Sequence, residues 1–359
     1  MMTTSDGMTY APSGIPRPVC EPGEFPFAAV ALDHGHIYGQ CKGLSEAGAD
    51  VKWVYDPDPA KVLTFRETFP QARAARSVDE VLDDPEVRLV AAAAIPSQRA
   101  ALGFRVMDAG KDYFTDKTPF TSFDQLATAR AKVAETGRKY MVYYSERLHV
   151  ECAVFAGELI RQGAIGRLVH MIGLGPHRLG PPDLRPDWFY EKHHYGGILC
   201  DIGSHQCEQF LYYSGATDAI VHHARTANFN HPDYPELEDF GEASLEADNG
   251  ASFYFRVDWF TPDGLRAWGD GRTVLLGTEG FIELRKYVDI GSDRMGDQLY
   301  LANGDGEQHL QLAGQVGFPF FGELILDCLN RTEAAMTQDH AFKAAELCLR
   351  AQAAADAPR

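Results

Sequence analysis

No stretch of this chain stays apolar for anything near the ~20 residues that a membrane-spanning helix requires. The longest notably apolar run, Leu89 to Ile95, falls far short of that. Cysteine is sparse and odd in number, seven in 359 residues, at 20, 41, 152, 200, 207, 328 and 348. None forms a C-x-x-C pair, which excludes a disulfide framework or a thiolate zinc site and fits a reducing, cytoplasmic setting. Positive charge is also short: 33 Lys and Arg against 51 Asp and Glu leave a net charge of −18. Such a balance excludes a surface built for nucleic acid or an anionic membrane. There is no internal repeat. The first two dozen residues carry prolines at 12, 16, 18 and 22 without a basic segment leading into an apolar core, so 1–24 reads as a flexible arm and not a secretory leader. Small-molecule chemistry is what these absences leave.

What is present is an alternation of strand and helix long enough for two domains. From Phe25 an apolar run (27–32), a Gly/His turn, a helix to about Ala47 and a second apolar run ending at Asp56 make a βαβ unit. Buried strands at 87–95, 112–115 and 140–144 then alternate with helices at about 98–109 and 123–135. This predicts an α/β fold with a doubly wound parallel sheet over 25–145. Beyond it come a helix at about 149–162, a strand at 168–174, a Pro/Gly loop and a helix carrying Asp201 and His205. Strands joined by turns such as Asp248-Asn249-Gly250 and Thr278-Glu279-Gly280 follow, then two closing helices at about 320–330 and 339–355. The second domain, 146–359, is therefore expected to be α+β with a large open mixed or antiparallel sheet.

Three segments carry chemistry. The turn after the first strand, Leu32-Asp33-His34-Gly35-His36-Ile37-Tyr38-Gly39, puts no more than one glycine on a G-x-G-x-x-G position, but Asp56 lies 21 residues after Gly35. An acid there suits ribose hydroxyls, and the absence of Arg or Lys in the next four positions favours NAD over NADP. Asp116-Lys117-Thr118-Pro119 follows a strand at its carboxyl end, where a lysine stabilises developing alkoxide charge or is simply a solvated loop residue. In Tyr195-Gly196-Gly197-Ile198-Leu199-Cys200-Asp201-Ile202-Gly203-Ser204-His205, carboxylate and imidazole stand four apart, as for one helix face. That spacing suits a general base working near neutral pH, and equally an ordinary surface pair. The histidine pairs His34-x-His36, His193-His194 and His222-His223 have no Asp, Glu or Cys at ligand spacing, so no metal site is expected. His177-Arg178, Asp187-Trp188 and His193 to Tyr195 are polar and aromatic, as a carbohydrate pocket or a surface loop would be.

Together these residues resemble the Gfo/Idh/MocA family of nicotinamide-dependent sugar and polyol oxidoreductases over nearly the whole chain from Phe25. Asp116-Lys117-Thr118-Pro119 looks like the family's E-K-P motif, with Thr118 inserted. Gly196 to Glu208 looks like its G-G-x-x-x-D-x-G-x-H-x-x-D motif, with Glu208 for the final Asp. The resemblance implies a Rossmann domain and an open-sheet domain whose exposed face builds homodimers or homotetramers. It implies cofactor contacts from Leu32, Asp33, His34, Gly35, His36, Ile37, Asp56, Pro96 and Lys117, and places Lys117, Asp201 and His205 beside the nicotinamide. Substrate contacts are expected from Arg147, His177, Trp188, His193 and Tyr195. The implied activity is NAD-dependent oxidation of a secondary hydroxyl of a cyclic sugar or polyol, with His205 as base, Asp201 orienting it and Lys117 polarising the oxygen. The family's other modes are redox-neutral glycoside cleavage or epimerisation, and dinucleotide and sugar sensing without turnover.

Overall fold

Strands that are apolar on both faces have to be covered on both sides. The computed structural model of the protein, which describes residues 7–8, 10–181, 184–292 and 294–358, has such strands in its N-terminal unit. β1 (Pro26–Val30), β2 (Asp50–Tyr55), β3 (Arg73–Ala74), β4 (Leu89–Ala92), β5 (Asp112–Asp116) and β6 (Tyr140–Tyr143) form a parallel sheet ordered β3-β2-β1-β4-β5-β6. The connections are α1 (His36–Glu46), α2 (Pro59–Thr68), α3 (Val78–Asp83), α4 (Pro96–Asp108) and α5 (Phe123–Thr136). Side-chain oxygens of Asp58, Ser77 and Ser122 cap α2, α3 and α5, each satisfying an amide that the first turn leaves open. Between β1 and β4 the winding reverses, which opens the crevice where such sheets hold ligands.

In the C-terminal unit the burial pattern switches to alternation, the mark of a sheet covered on one face. After α6 (Ser145–Leu148) and α7 (Glu151–Arg161) comes β7 (Leu168–Pro176), then α8 (Lys192–Tyr195), α9 (Ile198–Asp201) and α10 (Gly203–Ser214). The strands that follow are β8 (Ala219–Ala227), β9 (Phe240–Ala247), β10 (Ser252–Asp258), β11 (Arg272–Gly277), β12 (Gly280–Arg285), β13 (Val288–Asp289), β14 (Arg294–Met295), β15 (Gln298–Asn303) and β16 (Gly306–Gln311). Eight of them, β7 included, form a mixed sheet ordered β16-β15-β12-β11-β7-β10-β9-β8, with β7 and β10 parallel and the other neighbours antiparallel. The short β13 and β14 pair separately. Phe253, Phe255, Val257 and Leu275 are buried on the helix side. There Phe210 of α10 stacks on Phe253 with ring centres 4.7 Å apart.

The division of the chain differs from the single boundary expected near 145. One unit holds Met8–Tyr143 and Gly317–Phe342, the other the remaining described residues. The reason is apolar: α11 (Pro319–Asn330) offers Phe320 and Phe321, whose rings lie 5.9 and 6.4 Å from that of Phe114 on β5. A Cβ on Gly43 would stand 2.3 Å from the Phe321 ring, so glycine in α1 is what admits α11. The last helix, α12 (Gln338–Asp356), begins in this unit and continues in the other. Part of the expected flexible arm is also held: the amides of Arg17 and Val19 donate to the carbonyls of Glu46 and Ala47, and Gly14 N to Glu46 Oε2 at 2.9 Å. Residues 1–6 and 9 of that arm, and Pro182 and Asp183 of the loop before α8, lie outside the described residues.

One residue of the second unit has a marked cost. Asp297 sits at φ 56, takes the amide of Cys152 at 2.9 Å, and is shielded enough that burial pushes its carboxyl up to about 6. An unfolded aspartate titrates near ~3.9, so the folded state binds the proton more tightly and stability falls as pH rises through 6. Asp297→Asn keeps the acceptor and tolerates the left-handed backbone. It is expected to raise stability by about 1–2 kcal/mol at pH 7.5 and to leave it nearly unchanged at pH 4, as read by urea unfolding at the two pH values.

Candidate active site

At the crevice of the parallel sheet the acid expected to meet a ribose is held by main-chain donors. Asp56 is buried, with Leu32 N at 2.6 Å from Oδ2 and Asp58 N at 2.9 Å from Oδ1, so the end of β2 and the end of β1 are tied together. Lys61, five residues beyond Asp56, reaches back from α2: its Nζ is 2.6 Å from Asp33 Oδ1 and 3.8 Å from Asp56 Oδ2. Counting the next four positions in the sequence missed this cation. α1 starts at His36, whose amide donates to His34 Nδ1 at 3.2 Å, and the amides of Ile37 and Tyr38 donate to the carbonyls of His34 and Gly35. A buried carboxylate at the switch-point crevice fits a dinucleotide. Gly39 serves packing: a Cβ there would meet Tyr143 Oη at 2.6 Å.

The two imidazoles of the turn face inward, onto the end of β5. His36 Nδ1 is 2.9 Å from Asp116 Oδ1 and His34 Nδ1 is 3.4 Å from Asp116 Oδ2. His34, His36 and Asp116 therefore bring ligand-type atoms within 4.8 Å of one another. The expectation that these histidines have no carboxylate partner is corrected here: the partner comes from 80 positions away. Asp116 is already engaged by Arg99, whose Nη2 donates to Oδ2 at 3.1 Å. Burial pushes the Asp116 carboxyl up, but His36, Arg99 and His34 outweigh it and hold it well below the usual carboxylate range, while burial drives His34 to its neutral form. Arg99, 1% exposed, also donates to the carbonyls of Ala94, Lys117 and Thr118. It thus fixes the corner that carries Lys117, where the Lys117–Thr118 peptide is cis. Pro96 and Ile37 are buried at the starts of α4 and α1.

In the C-terminal unit the Gly196-Gly197 pair has a double use. Both residues have positive φ, 85° and 90°, which L side chains disfavour, and a Cβ on Gly197 would lie 2.3 Å from the Gln352 side chain. Gln352 Oε1 and Glu238 Oε2 take the amides of Leu199 and Ile198 at 3.1 and 2.9 Å, capping α9 from two other segments. α9 ends at Asp201 and α10 begins at Gly203, and the intervening Ile202 keeps helical dihedrals, φ −78° and ψ −37°, with its amide donating to the Ile198 carbonyl at 3.0 Å. The helical backbone through Ile202 keeps the two residues at i,i+4 spacing, as expected for one face. Both residues are buried, Asp201 7% and His205 1% exposed.

Sequence reasoning missed Glu146 and Lys286, which lie beside this segment. Glu146 Oε2 accepts from Lys286 Nζ at 3.0 Å and from Gln206 Nε2 at 2.9 Å. Burial alone pushes the Glu146 carboxyl up, yet Lys286, His205 and His177 hold it at about 2. The one visible trace was glycine in a strand: Gly173 and Gly175 of β7 leave room for the Gln206 side chain, which a Cβ would meet at 2.3 and 2.9 Å. Of the five expected substrate contacts, Arg147 donates to Glu208 through Nε at 2.8 Å and lies 3.8 Å over the Tyr212 ring, which commits it to packing. Tyr195 is likewise committed, its hydroxyl donating to Glu236 O at 2.8 Å. His193 is exposed, 3.6 Å from Glu191 Oε2, and Trp188 is half-buried against Phe189. His177 alone joins the buried polar cluster, 3.9 Å from Glu146 and packed on Trp268 and Trp259.

Two family profiles match the chain: an oxidoreductase family with an NAD-binding Rossmann fold over residues 34–144, and a GFO/IDH/MocA C-terminal domain over 154–283. The chain is 26% identical over 254 residues to scyllo-inositol 2-dehydrogenase (NAD(+)) of Bacillus subtilis (strain 168), covering 69% of this chain and 70% of that protein. A solved structure of a protein from Erwinia carotovora atroseptica SCRI1043, provisionally classed as an oxidoreductase, is 52% identical with a TM-score of 0.89, covering 92% of this chain and 99% of that one. Levoglucosan dehydrogenase in complex with NADH and levoglucosan has a TM-score of 0.75 at 17% identity, over 92% and 97% of the two chains. That last likeness concerns the fold.

Arg99 is the testable centre of the N-terminal half of this description. Arg99→Met leaves Asp116 a buried charge short of a partner, and is expected to cost about 3–5 kcal/mol. The loss should appear as a lower urea midpoint at pH 7 and shrink on acidification, because the depressed Asp116 carboxyl contributes in full above the unfolded value of ~3.9 and progressively less as pH falls from there through its folded value.

Proposed function

Since the chain belongs to the Gfo/Idh/MocA family of oxidoreductases, with an NAD-binding Rossmann domain and the family's C-terminal domain, we propose that it is an NAD-dependent dehydrogenase. It oxidises a secondary hydroxyl of a cyclic sugar or polyol to a ketone, reversibly. The observation that carries this reading is His205, an imidazole 1% exposed at the start of α10, in the motif position that the family resemblance gives to the base. Similarity to an inositol dehydrogenase supports the polyol class.

When bound, the nicotinamide supplies the hydride acceptor. His205 takes the hydroxyl proton, Asp201 orients His205 and favours its cationic form, and Lys117 polarises the substrate oxygen. NAD is favoured over NADP because Asp56 presents a buried carboxylate where a 2′-phosphate would stand, and the nearby Lys61 is engaged by Asp33 at 2.6 Å. Assembly as a homodimer or homotetramer is supported by one row across the eight-stranded sheet, in which Ile220, Leu276 and Phe281 are exposed. All seven cysteines are free, as a cytoplasmic setting would keep them. Among the described residues no helix is long and apolar enough to cross a membrane.

NADH absorbance measured with NAD or NADP against inositols, aldoses and anhydrosugars tests the assignment. Growth of NADH with one substrate class is expected, with kcat/KM reduced about 100-fold or more in His205→Ala and in Lys117→Ala. Full turnover in both variants would overturn the roles. Product formed without net NADH would move the reading to redox-neutral chemistry.

A further inference from the structure

A lysine in the first turn of a helix opposes the helix dipole, so Lys61, the third residue of α2, needs a reason that the helix does not supply. Two carboxylates supply it. Lys61 Nζ is 2.6 Å from Asp33 Oδ1 and 3.8 Å from Asp56 Oδ2. Burial disfavours the ammonium, and the hydrogen bond and charge of Asp33, with the charges of Asp56 and Asp58, outweigh it and raise the Lys61 pKa. Among the described residues no other cation pairs with Asp56. One ammonium thus serves two carboxylates, and it stands closer to Asp33.

The main chain holds this trio in one frame. On either side of Asp33 the amides are bound: Leu32 N donates to Asp56 Oδ2 at 2.6 Å and His34 N to the Ala93 carbonyl at 2.9 Å. Asp56 Oδ1 takes the amide of Asp58, and Asp58 Oδ1 in turn takes the amide of Ala60 at the start of α2, each at 2.9 Å. The turn that carries Asp33, the end of β2 and the helix that carries Lys61 are therefore fixed relative to one another. Their side chains differ in exposure, 1% for Asp56, 22% for Asp33 and 36% for Lys61. Asp33 and Lys61 have room to change partners, and Asp56 does not.

We propose that Asp33 is a determinant of dinucleotide preference: by holding Lys61 it withholds from a 2′-phosphate the cation that stands beside Asp56. The proposal rests on the reading that the N-terminal sheet binds a nicotinamide dinucleotide with Asp56 at its ribose, and adds a determinant outside that acid. NADP carries one phosphate monoester more than NAD, about 1.5 to 2 negative charges at neutral pH. A phosphate brought to this pair of carboxylates needs a cation, and Lys61 already balances Asp33. Without the Asp33 charge, the next carboxylate for Lys61 is Asp56. Paired there, Lys61 covers an acceptor of the ribose hydroxyls and brings its ammonium to the phosphate, so one change acts against NAD and for NADP. Loss of Lys61 does the reverse, because two carboxylates without their cation repel the more highly charged ligand more.

Asp33→Asn keeps the side chain's shape and removes its charge, and Lys61→Met keeps the stem and removes the ammonium. Thermal unfolding establishes that each variant folds. Fluorescence titration of NADH and NADPH into the wild-type protein and both variants then reads the ratio of the two dissociation constants, in which any effect common to both dinucleotides cancels. Asp33→Asn is expected to move that ratio about tenfold or more towards NADPH, and Lys61→Met about threefold or more towards NADH, both shifts shrinking in about 1 M salt. A merely structural role would weaken both ligands alike. An unmoved ratio in Asp33→Asn, or shifts of the same direction in the two variants, overturns the proposal. If Asp33→Asn does not fold, Lys61→Met carries the test, and a ratio unmoved or moved towards NADPH overturns the proposal. A wild-type protein that binds neither dinucleotide overturns the underlying reading and this proposal with it, whereas a preference for NADH that Asp33→Asn leaves undiminished overturns this proposal alone.

Discussion

A carboxylate taken out of water must be surrounded by donors, and Asp116 is where the N-terminal unit meets that demand. It lies at the carboxyl end of β5 with no exposure, Arg99 on one oxygen and two histidines of the β1–α1 turn facing it. Because Arg99 also takes the carbonyls of Lys117 and Thr118, this one charge sets the turn, the lysine corner and the first residues of α4 in register. The imidazoles that replace glycine in the turn are thus structural partners of the acid. A turn with few glycines is compatible with the fold for that reason.

The same logic recurs in the C-terminal unit with Glu146 and Lys286, and there it reaches the chemistry. α10 presents His205 on one turn while Gln206 and Gln209, on the same helix, anchor Glu146 and Lys286. Anchoring through side-chain amides keeps the charges fixed without adding further charge. Helical dihedrals run on through Ile202, and Glu238 and Gln352 take the first amides of α9, so caps from distant segments place Asp201 one turn before His205.

Much of this was legible in the residues. Apolar runs alternating with helices announced the parallel sheet, and strands joined by the turns Asp248-Asn249-Gly250 and Thr278-Glu279-Gly280 announced the mixed one. The lysine corner and the Asp201–His205 segment stood out through local motifs. What was not legible depends on distance in sequence: Arg99 with Asp116, Glu146 with Lys286, and Lys61 returning to Asp33 are contacts made by the fold. The placement of 317–342 was missed for a related reason, since an amphipathic helix shows that it has an apolar face but not which surface covers it. Arg147 and Tyr195 hold the scaffold, through Glu208 and the Glu236 carbonyl, contacts that a polar side chain's nearness to a motif does not show in the sequence.

The central claim is that the N-terminal sheet holds a nicotinamide dinucleotide with Asp56 at its ribose. Fluorescence titration of NADH and NADPH into the wild-type protein and Asp56→Ala tests it without any substrate. The account predicts that NADH binds about tenfold or more tightly than NADPH, and that Asp56→Ala weakens NADH and erases the preference. Failure of either dinucleotide to bind, or tighter binding of NADPH to the wild-type protein, would contradict it.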